Sequence, residues 1–301
     1  MRGGRLGIIL ALITALCWGT GDFLARSLTR HIGSYRTLLF VQFTGFIALS
    51  CYLLPSGELA HRLSGIVYGV LAWAVAGSLL NLIGSLLLYR AFEIGLLAVV
   101  SPIAASYAAI TAALSVLSGE AVRRGQAAGM VATLLGVALA AGLLVRGANR
   151  VPTAGAPRRR KVAGPGVALA VLSAIAYGTG FWILGYHVTP QLGGTVPVWI
   201  VRLVTIVTLT TVAVPLRRDV HPPRHAGRWG LLAAVGLIDT VGFVAFAHAV
   251  QGGHVAIVGV LSSLFSAVTV VLAHFFLHER LAVSQWLGLA GIFAGVALVS
   301  G

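Results

Sequence analysis

Asp239 stands in the middle of an apolar run, Trp229–Val250, that is long enough to cross a membrane. A carboxylate is costly there, and by default it marks a binding or proton-relay site. Asp239 can bind a cationic solute, or take up and release a proton if burial raises its pKa. The competing reading is an ion pair with Arg202, one run earlier, that only holds helices together. Asp22 is the second candidate. It lies one helical turn from both Trp18 and Arg26, so the three share a helix face. Asp22 is then either a solute contact at a cavity rim or half of a local pair with Arg26.

Aromatic rings at Trp18, Tyr107, Tyr177, Trp182 and Phe265 supply walls that suit organic solutes and cations. The same rings also fit core packing or an interfacial belt. Asn81 and Arg202 complete the substrate-binding candidates. Pro102 and the Gly252-Gly253 pair are candidate hinges. His248, His254 and His274 do not sit at the helical spacing of a zinc helix, so neither a metal nor another cofactor is expected. Glu120 and Glu279 end two apolar runs, and pairing with Arg123 and Arg280 gives them a structural role.

These residues must be positioned by a chain that is 58% hydrophobic and only 9% charged, with mean hydropathy +0.97. A soluble domain carries about 25% charged residues. Ten apolar runs are long enough to span a bilayer: Leu6–Ala25, Tyr35–Leu54, Ile66–Leu88, Ile94–Leu117, Gln126–Val145, Val167–His187, Thr195–Leu216, Trp229–Val250, Val255–Leu277 and Ser284–Val299. They must be helices, because lipid offers no partner to backbone groups and no run alternates like a barrel strand. Cys17 and Cys51 fall inside such runs and read as packing residues. The apolar run after Arg2 and Arg5 has the length of a full span, and no cleavable signal is evident.

Lys and Arg number 21 against 7 acidic residues. Most arginines stand at the ends of the apolar runs, where they anchor to headgroups, so the excess does not point to nucleic acid. HExxH, GxSxG and P-loop patterns are absent, which argues against an enzyme. A solvated stretch, 146–166, holds Arg158-Arg159-Arg160-Lys161 and cannot cross hydrocarbon.

The chain before that stretch is written again after it. Ala15 and Trp18-Gly19-Thr20-Gly21 face Ala174 and Tyr177-Gly178-Thr179-Gly180 at a constant spacing. Ala91, Gly95, Ala98 and Val100 face Ala249, Gly253, Ala256 and Val258, and Glu120, Gln126 and Gly129 face Glu279, Gln285 and Gly288. Asn81 is the partner of Asp239. We read an internal duplication. An odd number of spans per copy sends the second copy into the membrane from the opposite side, as in transporters whose site lies between inverted repeats. The expected fold is an all-α membrane protein of ten transmembrane helices in two inverted five-helix repeats, residues 1–145 and 165–301, joined by a basic linker, 146–164.

The motifs resemble the drug/metabolite transporter superfamily in its ten-helix EamA form. Trp18-Gly19-Thr20, Ser101-Pro102, Glu120 to Gln126-x-x-Gly129, Gly136-Val137, and the repeat of that signature from Glu279 to Gly295-Val296 carry the resemblance. Arg202 sits where that family often has an arginine, with Gln42 opposite it in the first half. The second half has Val260 opposite Pro102. The resemblance implies a carrier of small organic solutes, driven by gradients and without an ATP site, with lipid and protons as further partners. A non-transporting scaffold and a membrane-embedded enzyme are the rival functions. Counting cations at the two membrane faces places both termini outside and the linker in the cytoplasm of a plasma-membrane protein.

Overall fold

The computed structural model describes residues 2–140, 165–215, 217–223, 225–277 and 283–300. The basic linker, Glu279 and Arg280 lie outside the described residues. Every regular element among the described residues is helical. The first half holds α1 (Arg2–Ile32), α2 (Ser34–Ser56), a short α3 (Glu58–Leu63), α4 (Tyr68–Ile94), α5 (Leu97–Ala105), α6 (Tyr107–Leu117) and α7 (Arg124–Ala140). The second holds α8 (Pro165–Ile183), a π-helical turn (Leu184–Val188), α9 (Thr189–Leu192), α10 (Thr195–Ala213), α11 (Ala226–Val250), α12 (Val255–Ser262), α13 (Phe265–Leu277) and α14 (Val283–Ser300).

Eight helical segments among the described residues are long and apolar enough to cross a membrane. Large apolar side chains such as Leu16, Phe43, Leu172, Val241 and Phe276 point outward, as a lipid-facing surface requires. The chain is a multi-pass membrane protein. Of the ten expected spans, the fourth and ninth are each two helices in line, α5–α6 and α12–α13. The fifth and tenth correspond to α7, described over 17 residues, and to α14, whose apolar part is Trp286–Gly295.

The helices pack closely because glycine lies at the crossings. A Cβ at Gly19 would come 2.7 Å from the Phe265 carbonyl and 2.5 Å from the Val268 Cβ. A Cβ at Gly178 would come 2.8 Å from the Tyr107 carbonyl and 2.6 Å from the Ile110 Cβ. These four contacts are two copies of one contact. α1 packs on α13 as α8 packs on α6.

The side-chain hydrogen bonds repeat the same exchange. Thr111 Oγ1 donates to the Gly178 carbonyl at 3.0 Å, and its counterpart Thr269 Oγ1 donates to the Gly19 carbonyl at 3.1 Å. Ser173 Oγ donates to Gly84 O at 2.8 Å, and Thr14 Oγ1 to Gly242 O at 3.1 Å. α7 and α14 pack on each other, where a Cβ at Gly136 would meet Gly288 O at 2.7 Å and one at Gly295 would meet Gly129 O at 2.6 Å. Where residue i of one half meets j of the other, the counterpart of i meets the counterpart of j.

Candidate functional site

A cavity of about 50 Å³ lies among eight of these helices. A water needs about 10–15 Å³ of such space, so the cavity has room for a few waters. α1 contributes Trp18 and Asp22, α2 Leu38 and Gln42, and α4 Asn81, Ser85, Leu88 and Tyr89. Tyr107 comes from α6, Tyr177 and Phe181 from α8, and Arg202 from α10. Asp239 and Phe243 come from α11, and Phe265 from α13. Both halves therefore build the wall.

Arg202 is the most enclosed charged side chain among the described residues, at 1% exposure. Its Nη1 donates to Gln42 Oε1, and its Nη2 meets Asp239 Oδ2 at 2.7 Å. Its guanidinium lies 5.7 Å from the Phe243 ring centre. Gly45 makes room for it, since a Cβ there would lie 3.2 Å from Nε. The Arg202–Asp239 ion pair expected as one reading is therefore present, inside the cavity wall. Asp239, which lines the cavity, keeps 27% of its side chain exposed.

Asp22 stands differently. Its Oδ2 is buried and has no hydrogen-bond partner. The rings around it form one cluster. Trp18 stacks on Phe181 at 5.3 Å and presents edges to Phe243 at 5.9 Å, Tyr107 at 6.4 Å and Phe265 at 6.4 Å. Tyr177 stacks on Phe181 at 5.6 Å, and its hydroxyl is 2.9 Å from Ser85 Oγ. Tyr107 bonds Ser262 Oγ at 2.7 Å.

Of the substrate-binding candidates, Trp18, Asp22, Asn81, Tyr107, Tyr177, Arg202 and Asp239 are brought together. Trp182 is not. Its indole donates to Ser118 Oγ at 2.9 Å and its ring meets His187, away from the cavity. Sequence reasoning missed Ser85, Tyr89, Phe181 and Phe243. The repeat held a signal for one of them: Phe181 is the counterpart of the candidate Asp22, while Phe243 pairs with Ser85, which was also missed.

The hinge candidates fall elsewhere. Pro102 is buried in α5, and the helix breaks at Ser106. The second half breaks at Ser263–Leu264 with no proline there. Both breaks carry a serine whose hydroxyl donates at 2.7 Å to the carbonyl three residues back, a bond that competes with the helix ladder. Gly252 and Gly253 lie in the turn between α11 and α12, outside any helix, and Gly253 takes φ 80°.

One end of the bundle is tied across the halves. Glu120, in the loop after α6, accepts the Ala256 N–H at 3.0 Å and the Tyr186 hydroxyl at 3.2 Å. The carboxylate thereby caps the start of α12. Burial pushes its pKa above the ordinary value, opposed by the Ala256 and Tyr186 hydrogen bonds. Among the described residues no group of three or more His, Cys, Asp or Glu is placed to hold a metal.

Residues 5–142 and 164–301 each match the model of the EamA-like transporter family. An uncharacterized protein of Methanocaldococcus jannaschii is 31% identical over 133 residues, covering 44% of this chain and 93% of the relative. One solved crystal structure aligns with a TM-score of 0.72 at 18% identity, over 97% of this chain and 95% of the other, a likeness of fold.

Proposed function

Since the chain belongs to the EamA-like transporter family, we propose that it is a secondary transporter moving a small organic solute by alternating access. The observation that carries this is the cavity. It is walled by both halves and holds two carboxylates, an arginine and a ring cluster within membrane-spanning segments. Such groups are expensive in a bilayer and mark solute or ion pathways.

The proposed architecture is two inverted repeats, residues 1–145 and 165–301, each contributing five helices and joined by a basic segment, 146–164. Two contacts at one glycine support the inversion. Near the end of α1, Arg30 Nη2 donates to Gly95 O at 2.9 Å. At the start of α8, a Cβ on Gly166 would lie 3.5 Å from Gly95 Cα. α1 thus finishes at the level where its copy begins. In the proposed cycle the two halves rock about their shared axis. Trp18, Asn81, Tyr107, Tyr177 and Arg202 shape the site, while Asp22 and Asp239 supply charge for the solute or for a coupling proton. The membrane is the plasma membrane, with both termini outside and the basic segment in the cytoplasm.

Flux into proteoliposomes, with and without an imposed pH gradient, tests the reading. The expected result is solute-specific flux above that of empty vesicles. Absence of flux for every class of organic solute in vesicles containing folded protein would sink it.

A further inference from the structure

The Arg202–Asp239 pair leaves part of the guanidinium unused. Resting on the transport reading and deepening it, we propose that the solute is an organic anion with an aromatic or apolar body. Its anionic group takes the place of Asp239 on Arg202, and Asp239 accepts one proton as it gives up that place.

An arginine side chain carries several N–H donors and does not lose its charge. Arg202 holds them in the cavity wall at 1% exposure. Nη1 donates to Gln42 Oε1. Nη2 lies 2.7 Å from Asp239 Oδ2, yet among the described residues neither Nη2 nor Nε has a hydrogen-bond partner. These two nitrogens form one edge of the guanidinium, an edge suited to grip a carboxylate or similar oxyanion through two parallel bonds. Asp239 supplies that edge with opposite charge but not with hydrogen bonds. A buried donor without an acceptor is costly, and an acceptor from a solute removes that cost.

Asp239 is the member of the pair with room to leave, since its side chain is 27% exposed and that of Arg202 only 1%. An anion arriving while Asp239 is ionised meets a second negative charge and must break a buried ion pair, which is strongly unfavourable. A proton on Asp239 removes both obstacles. The proton passes from water to a carboxylate oxygen, and the solute oxyanion replaces that carboxylate at Nε and Nη2. Anion and proton together bring no net charge, so the total charge that Asp22 faces is the same in the loaded and the empty cavity. The titratable groups close enough to feel the charge of Asp239, besides Arg202, are Cys17 and Asp22 on α1, Tyr89 on α4 and Tyr177 on α8. Gln42, facing the pair from α2, does not titrate. Arg26 on α1 is buried and engaged, and does not line the cavity. The body of the solute lies against Trp18, Phe181 and Phe243, whose centroids are 5.3 to 5.9 Å apart. Such rings bury apolar bodies well.

The test is calorimetry on the purified full-length chain in detergent, run in buffers of different ionisation enthalpy so that proton uptake is read with affinity. The probes are 2-phenylethanesulfonate, which stays anionic throughout and so cannot itself carry the proton, the neutral 2-phenylethanol and the cation 2-phenylethylammonium. The sulfonate should bind tightest, take up a proton, and weaken by up to about tenfold per pH unit from about pH 6 to about pH 8. Asp239→Asn stands in for the protonated side chain. It should bind the sulfonate without proton uptake, and at about pH 8 at least about tenfold tighter than wild type. Arg202→Met with Asp239→Leu should lose sulfonate binding. The proposal is overturned if the wild type binds the alcohol or the ammonium as tightly as the sulfonate, fails to bind the sulfonate at millimolar concentration, or binds it without proton uptake. It is equally overturned if proton uptake survives Asp239→Asn, or if that variant gains no affinity. The wild-type measurements stand even if a variant does not fold. Transport can fail separately: sulfonate binding with proton uptake but without flux would remove the carrier and leave the site. Flux of a solute with no preference for anions would do the reverse.

Discussion

Arg202 and Asp239 meet at 2.7 Å across α10 and α11, in the wall of the cavity that both help to line. The arginine is sealed and the aspartate is partly open. Asp239→Asn therefore leaves a guanidinium buried without its counter-charge. Breaking a fully buried pair costs about 3–5 kcal/mol, and the partial exposure of Asp239 puts the expected loss at roughly 2–3 kcal/mol. Replacing both partners, Arg202→Met with Asp239→Leu, should recover most of that stability. Thermal unfolding in detergent checks both, and solute binding should fail to recover with the fold.

Gly19 and Gly21 are two residues apart and should respond oppositely to alanine. A Cβ on Gly19 runs into the backbone carbonyl of Phe265 at 2.7 Å, whereas one on Gly21 meets only Ile238 Cγ2 at 4.0 Å. Gly19→Ala is expected to destabilise by about 1–3 kcal/mol, the usual cost of overpacking. Gly21→Ala should be neutral or slightly stabilising, since alanine is the better helix former. Gly178→Ala should match Gly19→Ala, because its contacts are the same ones in the other copy.

The tie at Glu120 predicts a pH dependence. Its pKa is raised in the folded protein, chiefly by burial. As pH rises, the unfolded chain releases this proton first. Between the unfolded and folded pKa values the native state holds more protons, so this group's contribution to stability falls with rising pH. Above that interval it stays at its lower level. Wild type should therefore gain stability relative to Glu120→Gln on acidification from neutral pH to about pH 4. The group is half-buried, so the relative gain should be below about 1 kcal/mol. Paired melting curves across that range measure it.

Trp182 and Tyr177 were expected together as wall residues but are placed apart. Tyr177→Phe removes the hydrogen bond to Ser85, worth about 1 kcal/mol, from the cavity wall. It should change solute affinity. Trp182→Phe loses a bond to Ser118 outside the cavity and should leave affinity unchanged. Direct binding measurements on the two variants separate them.

Much of the cavity was readable because the bilayer makes polarity conspicuous. Asp239, Arg202 and Asn81 stand out in apolar runs. Trp18, Tyr107 and Tyr177 stood out as rings aligned across the duplication. Phe181 and Phe243 did not stand out, since a phenylalanine in an oily run carries no signal of its own. Carrying Asp22 to its counterpart would have found Phe181, whereas the counterpart of Phe243 is Ser85, a serine that carries no signal of its own either. The helix breaks were harder to read. Pro102 suggested one of them, yet the second half breaks without a proline, through a serine that bonds back on its own helix. A serine in a helix usually leaves the helix intact, so its residue type alone does not announce the break. The π-turn at Leu184–Val188 lies inside one continuous apolar span, and the apolar pattern does not mark it either.

Thr111 reaches Gly178, and Thr269 reaches Gly19. Either copy made on its own would carry these gripping residues with nothing to grip. The chain cut within 141–164 should work only when both pieces are made in one cell. The exchange also directs how the sequence can drift. A side chain added at Gly19 presses on Val268, and one added at Gly178 presses on Ile110. Repair for a change in one copy must come from the other, so the two descendants of the ancestral segment are bound to evolve as a couple.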